Sequence, residues 1–197
     1  MTLDEVAIDR LVGRAKAGDA EAFGALFDEY GEPVYRFIAS RVHSPADAED
    51  LTQTVFVKAL EALPRYEARG VPFGGWLFRL ARNTVIDHVR TRHEHSGLDT
   101  LVERATGERG PDEQTVTRHE IEAMGKALDA LTDEQRDVIA LRFFAGLSAR
   151  EAAVAMGKQE GTIRGLQFRA IAALRRELGL ADPATTDPPT TAARRER

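Results

Sequence analysis

Cysteine is absent from the 197-residue sequence, tryptophan occurs once, and no long apolar run is present. Without cysteine the chain has no disulfide bond, no thiolate zinc site and no cysteine nucleophile. No segment approaches the roughly 18 apolar residues of a membrane span. The acidic start "MTLDEVAIDR" lacks the apolar core of a signal peptide. These absences predict a cytoplasmic protein that is not inserted into a membrane.

An excess of positive charge is also absent, because 27 Lys and Arg face 32 Asp and Glu and the net charge is −5. A protein that coats nucleic acid by bulk charge alone would be strongly basic, so the net charge argues against that class. Bases do concentrate in one place. Residues 158–176 contain one acid, Glu160, and five bases: Lys158, Arg164, Arg169, Arg175 and Arg176. Contact with nucleic acid would therefore depend on local basic surfaces.

Helical periodicity recurs along the chain and strand signals are nearly absent, which predicts an all-α fold. Gly31 and Pro33 are expected to bend the second helix, because proline removes a backbone donor. Caps and breakers place helices at residues 4–17, 20–41, 45–63, 73–92, 117–130, 132–146, 148–157 and 160–178.

Composition changes after His95, which predicts two small helical domains joined by a linker. Residues 94–123 carry eight acids against three bases, and "ATGERGPDEQ" has no strong apolar pattern. We expect a first domain at 1–93, a flexible acidic linker at 94–116, a second domain at 117–179 and a disordered tail at 180–197.

The second domain has the layout of a helix-turn-helix. Ser148 and Glu151 form a capping box, and Gly157 stands at the turn, where a left-handed backbone is needed. At 100° per residue the last helix turns Ile163, Leu166, Ala170 and Leu174 to one face. The opposite face carries Gly161, Arg164, Gly165, Phe168, Arg169 and Arg175. A small residue at 165 lets the helix approach a groove, and arginine reaches guanine edges or phosphates.

Two alternatives stay open for this helix. It could be a basic, solvated helix of an ordinary bundle, although the capped spacing favours the helix-turn-helix. Phe168 could contact a thymine methyl or a partner, or it could belong to the core if the helical phase is shifted.

The only tryptophan lies in a second mixed helix, "PFGGWLFRLARNTVIDHVRTR", residues 72–92. Helical geometry aligns Trp76, Arg79, Asn83, Asp87 and Arg90 on one stripe, and Leu77, Phe78, Ala81, Val85 and Val89 on the other side. The indole could stack on a base while Arg holds phosphates and Asn and Asp read a base edge. Equally, it could cover the domain rim with its donor satisfied locally.

The order of three segments resembles the extracytoplasmic-function class of bacterial sigma factors. They are "DAEDLTQTVFVKAL" (47–60), "PFGGWLFRLARNTVIDHVR" (72–90) and residues 127–178, which include "LSAREAAVAMGKQEGTIRGLQFRAIAAL". The resemblance covers about residues 10–178. One departure is visible, because the class usually has a recognition helix like "GTVKSRLHRARKAL", whereas this sequence has "GTIRGLQFRAIAAL". Base preference at the minus-thirty-five element is therefore not carried over.

The resemblance implies that the first domain binds core RNA polymerase and opens the minus-ten promoter element. Core binding, at the clamp helices of the largest subunit, would use Asp47, Glu49, Asp50, Gln53 and Thr54. Minus-ten DNA would be contacted by Tyr66, Phe73, Trp76, Arg79, Asn83, Asp87 and Arg90. The loop from Arg65 to Gly75 corresponds to the segment that cups a base flipped from the non-template strand, where Tyr66 and Phe73 could stack.

The resemblance also implies roles for the second domain. The minus-thirty-five element would be read by Lys158, Thr162, Arg164, Gly165, Phe168 and Arg169. This domain would be tethered to the polymerase flap of the second-largest subunit. The class usually has an anti-sigma factor as a further partner.

Two other functions compete with this one. A stand-alone helix-turn-helix regulator needs an N-terminal sensor, usually with strands, and residues 1–93 show none. A metalloenzyme is suggested by His88, His93, Glu94 and His95, but His93 and His95 lack the i, i+4 pairing of a helical metal site. "GVPFGG" lacks the Lys and Ser/Thr of a phosphate loop. We therefore expect neither catalysis nor a metal or other cofactor.

Overall fold

The computed structural model describes residues 3–42, 44–68, 70–95 and 118–180, with backbone only for 93–95 and 118–122. Within these ranges the chain forms helices and no strand, which confirms the all-α prediction. The helices are α1 (Glu5–Lys16), α2 (Ala20–Ala39), α3 (Pro45–Ala62), α4 (Phe73–His95), α5 (Arg118–Asp129), α6 (Asp133–Ile139), α7 (Ala149–Met156) and α8 (Glu160–Glu177). A 3₁₀ turn, Leu63–Arg65, follows α3, and a π-helical turn, Ala140–Phe144, extends α6.

Local capping explains where several helices begin. The Ser44 hydroxyl accepts from the Asp47 amide at 3.2 Å, with Pro45 in the first turn of α3. Complete capping boxes start α6, from Thr132, and α7, from Ser148, as the sequence predicts. Pro33 lies inside α2 without ending it.

The core of the first half lies between α2, α3 and α4. Phe37 of α2 meets Phe78 of α4 edge to face, with ring centroids 5.8 Å apart. The side chains that lose almost all solvent contact here are Leu26, Val34, Phe37, Ile38, Val55, Leu63, Leu77 and Phe78. This packing fixes the rotation of α4 and hence the direction of its polar stripe.

The helix-turn-helix consists of α7, a tight turn and α8. Gly157 ends α7 with φ of +63°, a left-handed conformation that favours glycine. The Lys158 amide then donates to the Ala153 carbonyl at 2.9 Å, which closes the turn. Ile163 and Leu166 are buried on the inner face of α8. The predicted helical phase of α8 is therefore confirmed.

The two halves of the chain are packed against each other, which no sequence pattern indicates. Helix α7 lies on the N-terminal part of α4, and a single apolar core joins residues of both halves. The predicted linker, 94–116, lies outside the described residues except for 94 and 95, which end α4. The predicted tail, 180–197, lies outside them except for Leu180. Among the described helices, none combines the length and apolarity required to cross a bilayer.

Candidate nucleic-acid interface

The polar stripe of α4 faces outward over most of its length. Asn83, Asp87 and Arg90 are exposed, while Leu77 and Phe78 behind them are fully buried. On this stretch of the stripe Arg90 forms an ion pair with Asp87 at 3.7 Å, and both side chains are largely solvated. Such a pair contributes little to stability, so both groups are available to a ligand. Val89, predicted to be buried, is instead 37% exposed.

The first part of the stripe is engaged by α7. Arg79 donates from Nε and Nη2 to the Val154 carbonyl, at 3.1 Å and 3.0 Å. This carbonyl belongs to the last turn of α7, where the helix dipole favours a cation, and it also accepts from the Gly157 amide at 3.2 Å. Arg79 is thus bonded to the backbone of another helix, whereas Arg90, the other cation of the stripe, pairs with the exposed Asp87 of its own helix.

An aromatic cluster supports Trp76. Its ring centroid lies 4.9 Å from that of Tyr66 and 5.4 Å from that of Phe73. Trp76 is half-buried, but Tyr66 and Phe73 are only 4% and 2% exposed. The Tyr66 hydroxyl donates to the Val71 carbonyl at 2.6 Å. The expectation that Tyr66 and Phe73 offer free rings for stacking therefore does not fit this arrangement, because both rings are used to hold Trp76 and the loop.

Burial also changes the acidity of this cluster. Desolvation raises the pKa of Tyr66 to about 12, and the carboxylates of Asp9 and Glu5 act in the same direction. The raised pKa keeps the phenol un-ionised well above neutral pH, so its hydroxyl still donates the hydrogen bond to the Val71 carbonyl there.

Helix α3 presents the candidate core-binding face. Glu49, Asp50 and Gln53 are exposed and Thr54 is half-buried. Asp47 differs from these four, because its carboxylate accepts from Arg92 at 2.7 Å and lies 3.7 Å from His88 Nε2. That ion pair ties the start of α3 to the end of α4.

Two residues of this face were missed in the sequence. Val57 and Leu60 are 56% and 52% exposed, and they follow Gln53 at the four-and-three spacing of one helix face. Two large apolar side chains on a solvated face are typical of a protein-binding surface. Their helical spacing from Gln53 could have identified them in the sequence. Both also lie in residues 47–60, one of the segments that carry the family resemblance.

The outer face of α8 is open. Phe168 is 76% exposed, and Thr162, Arg164 and Arg169 are exposed around it. This position excludes Phe168 from the core and leaves its ring free to contact DNA or a partner. A Cβ atom added to Gly165 would have only Arg169 Nη1 nearby, at 3.8 Å, so there is open space above Gly165. Arg164 is paired with Glu160 one turn earlier.

Lys158 does not join this face as predicted. Its ammonium group lies 2.7 Å from Glu134 of α6, and the side chain is mostly covered. The hydrogen bond from Lys158 holds the pKa of Glu134 below its usual range. Lys158 thus connects the turn of the helix-turn-helix to α6.

Arg142 is a further residue that the sequence did not single out. Its Nε donates to Gln167 Oε1 at 3.1 Å, and Nη1 donates to the Leu147 carbonyl. These bonds brace the start of α7 against α8. The side chains of Arg142 and Gln167 also line one side of a cleft of about 590 Å³. Phe168 and Arg164 line the same cleft.

The histidines give no metal site within the described side chains, where no group of three metal-binding residues occurs. The side chains of His93, Glu94 and His95 lie outside that set.

Comparisons with known proteins agree with this geometry. Residues 26–94 match the family model for sigma-70 region 2, and residues 127–176 match that for sigma-70 region 4. The ECF RNA polymerase sigma factor BldN of Streptomyces coelicolor is 39% identical over 177 residues, covering 89% of this chain and 67% of BldN. The ECF RNA polymerase sigma factor SigD of Mycobacterium tuberculosis is 33% identical over 184 residues, covering 90% of this chain and 87% of SigD. The solved structure of CnrH in complex with the cytosolic domain of CnrY superposes with a TM-score of 0.68 at 28% identity, over 88% of this chain and 97% of CnrH.

Proposed function

The chain belongs to the extracytoplasmic-function (ECF) family of RNA polymerase sigma factors, and on that premise we propose which surfaces carry each step of promoter recognition. As a sigma factor it binds core RNA polymerase and directs transcription initiation at promoters. The match of residues 26–94 to sigma-70 region 2 removes the support for a stand-alone regulator.

The minus-ten element is read by the stripe on α4. The observation that carries this assignment is the outward direction of Asn83, Asp87 and Arg90 above a fully buried apolar face. Amide and carboxylate groups read base edges, and guanidinium groups hold phosphates. Trp76 supplies the aromatic surface for an unstacked base, with Tyr66 and Phe73 as its support rather than as separate stacking platforms.

The minus-thirty-five element is read by α8. Thr162, Arg164, Phe168 and Arg169 project from one face, and Gly165 leaves room between them for a close approach to the groove. Lys158 is assigned a structural role in this proposal, because Glu134 already binds its ammonium group.

Core polymerase binds the exposed face of α3. Glu49, Asp50 and Gln53 form its polar half, and Val57 and Leu60 form its apolar half. Protein interfaces combine an apolar centre with a polar rim, which is the pattern of this face. The clamp helices of the largest subunit are the proposed partner, and the polymerase flap would hold the helix-turn-helix domain.

The protein acts in the cytoplasm as a specificity subunit, without catalytic activity of its own. An anti-sigma factor is its regulator. In support of a protein partner, the structure of the similar protein CnrH was solved in complex with the cytosolic domain of CnrY, and this chain has a similar fold.

Reconstituted transcription tests the function directly. Purified core polymerase is supplied with a fragment library, with and without the full chain, and run-off products are sequenced. New start sites that require the chain are expected. If no template gives more product with the chain than without it, the proposed function is wrong.

Val57→Glu with Leu60→Glu should abolish core binding, whereas Val6→Glu, also an exposed apolar site but on α1, should leave it unchanged.

A further inference from the structure

The cleft beside Phe168 is only partly used by the proposed DNA contacts. Its volume of about 590 Å³ is within the range of roughly 300–1,000 Å³ that small-molecule sites occupy. Among the residues assigned to minus-thirty-five DNA, Arg164 and Phe168 line it, whereas Thr162 and Arg169 do not. Its other walls come from α7 and from the π-helical turn after α6, so the cleft lies between the recognition helix α8 and these two elements.

Positive charge dominates the lining of the cleft. Three guanidinium groups, those of Arg142, Arg150 and Arg164, accompany a single carboxylate, that of Glu160. Three cations minus one anion leave an excess of two positive charges, in a chain whose net charge is −5. The amino end of α7, capped by Ser148, also borders the cleft and adds partial positive charge. The lining therefore favours an anionic ligand.

Arg142 is held in a fixed orientation at the edge of the cleft. Its Nε donates to Gln167 Oε1 at 3.1 Å and its Nη1 donates to the Leu147 carbonyl, while no hydrogen bond within the described residues engages Nη2. The first of these bonds also orients Gln167, because its amide oxygen faces Arg142 and its amide nitrogen is left as a donor. The cleft thus presents fixed donors, which suit an acceptor-rich group such as a phosphate.

The other two arginines are more exposed and weakly held. Arg164 pairs with Glu160 of its own helix. Arg150 donates to the Gly70 carbonyl at 3.2 Å and lies 3.6 Å from Glu5, a pair in which both side chains are more than half exposed. Exposed pairs of this kind contribute little to stability, so phosphate oxygens can replace these partners with little loss.

An aromatic ring completes the cleft. Phe168 is 76% exposed, and the half-buried Ile171 lines the cleft beside it. An aromatic ring with a free face stacks on a nucleobase. In duplex DNA the bases are paired and stacked on one another, so Phe168 reaches only a base edge there. A base that stacks on this ring inside the cleft therefore comes from a free nucleotide and not from a duplex.

We propose that the cleft binds a free nucleoside polyphosphate, with its base against Phe168 and its phosphates on Arg142, Arg150 and Arg164. A nucleotide in this position covers Phe168 and Arg164, two of the residues assigned to minus-thirty-five DNA. Nucleotide binding therefore competes with the upstream promoter element, and initiation responds to the nucleotide concentration. This regulatory step rests on the proposed function, whereas the binding of the nucleotide does not.

Calorimetric titration of the full chain, without polymerase or DNA and at physiological ionic strength, tests the binding. GTP is the probe, because guanine presents two acceptors, O6 and N7, to an amide donor such as that of Gln167. Guanosine supplies the base without phosphates, and inorganic triphosphate supplies the phosphates without a base. GTP should bind at least about tenfold more tightly than either, since stacking and charge-assisted hydrogen bonds both contribute. Triphosphate that binds as tightly as GTP, or no binding at millimolar GTP, would overturn the proposal.

Three variants locate the nucleotide. Phe168→Ala and Arg150→Ala should each weaken GTP binding about tenfold, through the loss of stacking and of a charge-assisted hydrogen bond. Arg175→Ala, exposed on the same helix but outside the cleft, is the matched control and should change the affinity by less than about twofold. Circular dichroism checks that each variant is folded. Equal affinities of the wild type and Phe168→Ala would place the nucleotide elsewhere and contradict the proposal.

Footprinting of holoenzyme on a promoter selected by run-off tests the competition. GTP should reduce minus-thirty-five protection by wild-type holoenzyme more strongly than by holoenzyme carrying Arg150→Ala. Both holoenzymes contain the same polymerase active centre, so the difference reports on the cleft, and equal sensitivity would refute the regulatory step. Chain-dependent run-off without GTP binding to the free chain would refute the nucleotide site and leave the proposed function intact. GTP binding without chain-dependent run-off would do the reverse.

Discussion

Arg82 of α4 donates from Nε to the Asp137 carboxylate of α6 at 2.7 Å, so a buried ion pair joins sigma region 2 to sigma region 4. Arg41 lies on the other side of the same carboxylate, at 3.3 Å. Desolvation lowers the pKa of Arg41, and Asp137 opposes that effect. The carboxylate therefore holds two mostly buried cations in place.

Asp137→Ala should lower the free energy of unfolding by about 3 kcal/mol, because it leaves buried cations without their counter-ion. Urea denaturation measures the change. Asp133→Ala is the control; its side chain is 86% exposed and 4.0 Å from Arg136, so a change below about 0.5 kcal/mol is expected. Equal effects of the two substitutions would contradict the importance of the buried pair.

Two glycines of the helix-turn-helix should respond in opposite ways to alanine. Gly157→Ala places a side chain on a residue with φ of +63° and should destabilise by about 1 kcal/mol. Gly161→Ala adds a Cβ with nothing within 4 Å inside the first turn of α8 and should stabilise by about 0.5–1 kcal/mol. Thermal unfolding of the two variants compares them. A stabilising Gly157→Ala would mean that the turn does not need its left-handed residue.

Open-complex formation should depend on the exposed stripe of α4. Asn83→Ala combined with Trp76→Ala should lower the yield of open complex at least about tenfold, because stacking of one base contributes about 1–3 kcal/mol. Permanganate footprinting of the melted region measures the effect, and core binding should be unchanged. Arg36→Ala, exposed on α2, is the control. Unchanged footprints in the double variant would remove these residues from minus-ten recognition.

Much of the fold was predictable because it depends on neighbours in the sequence. The capping boxes at Thr132 and Ser148 and the turn at Gly157 were read from local patterns, and the structure confirms each one. Helical periodicity also placed Phe168 on the outer face of α8, where it is exposed. These features need no knowledge of distant contacts.

Other features could not be predicted, because they depend on surfaces brought together by folding. No local pattern indicates that Gly75 touches Val154, or that Lys158 turns to Glu134 instead of the outer face of α8. Tyr66 looked available because it lies in a loop between helices, yet it is buried against Trp76. The residue types suggested stacking; the tertiary packing decided which ring is accessible.

Alkaline pH should weaken the cluster around Tyr66. The unfolded phenol ionises near pH 10, whereas burial raises the pKa of the folded one to about 12. Between these values the unfolded state binds fewer protons than the folded state, so stability falls as pH rises. Urea unfolding at stepwise higher pH should show this loss, and Tyr66→Phe should reduce its slope. Tyrosinate absorbance in which all three tyrosines titrate together near pH 10 would contradict the burial of Tyr66.

Upstream promoter contacts should depend on the arginines of α8. Arg164→Ala and Arg169→Ala should each weaken protection of the minus-thirty-five element by holoenzyme, while leaving core binding intact. If an arginine contacts a phosphate, its loss should reduce the slope of log affinity against log salt concentration by about 0.9, equally for all sequences. If it contacts a base edge, about 1–3 kcal/mol of discrimination at one position should be lost instead.

Arg164 is paired with Glu160, so its removal also exposes a carboxylate to the DNA and should have a larger effect than removal of Arg169. Footprinting across a salt series separates these cases, with Arg36→Ala as the remote control. Full protection by the variant lacking both arginines would show that α8 does not enter the groove by this face.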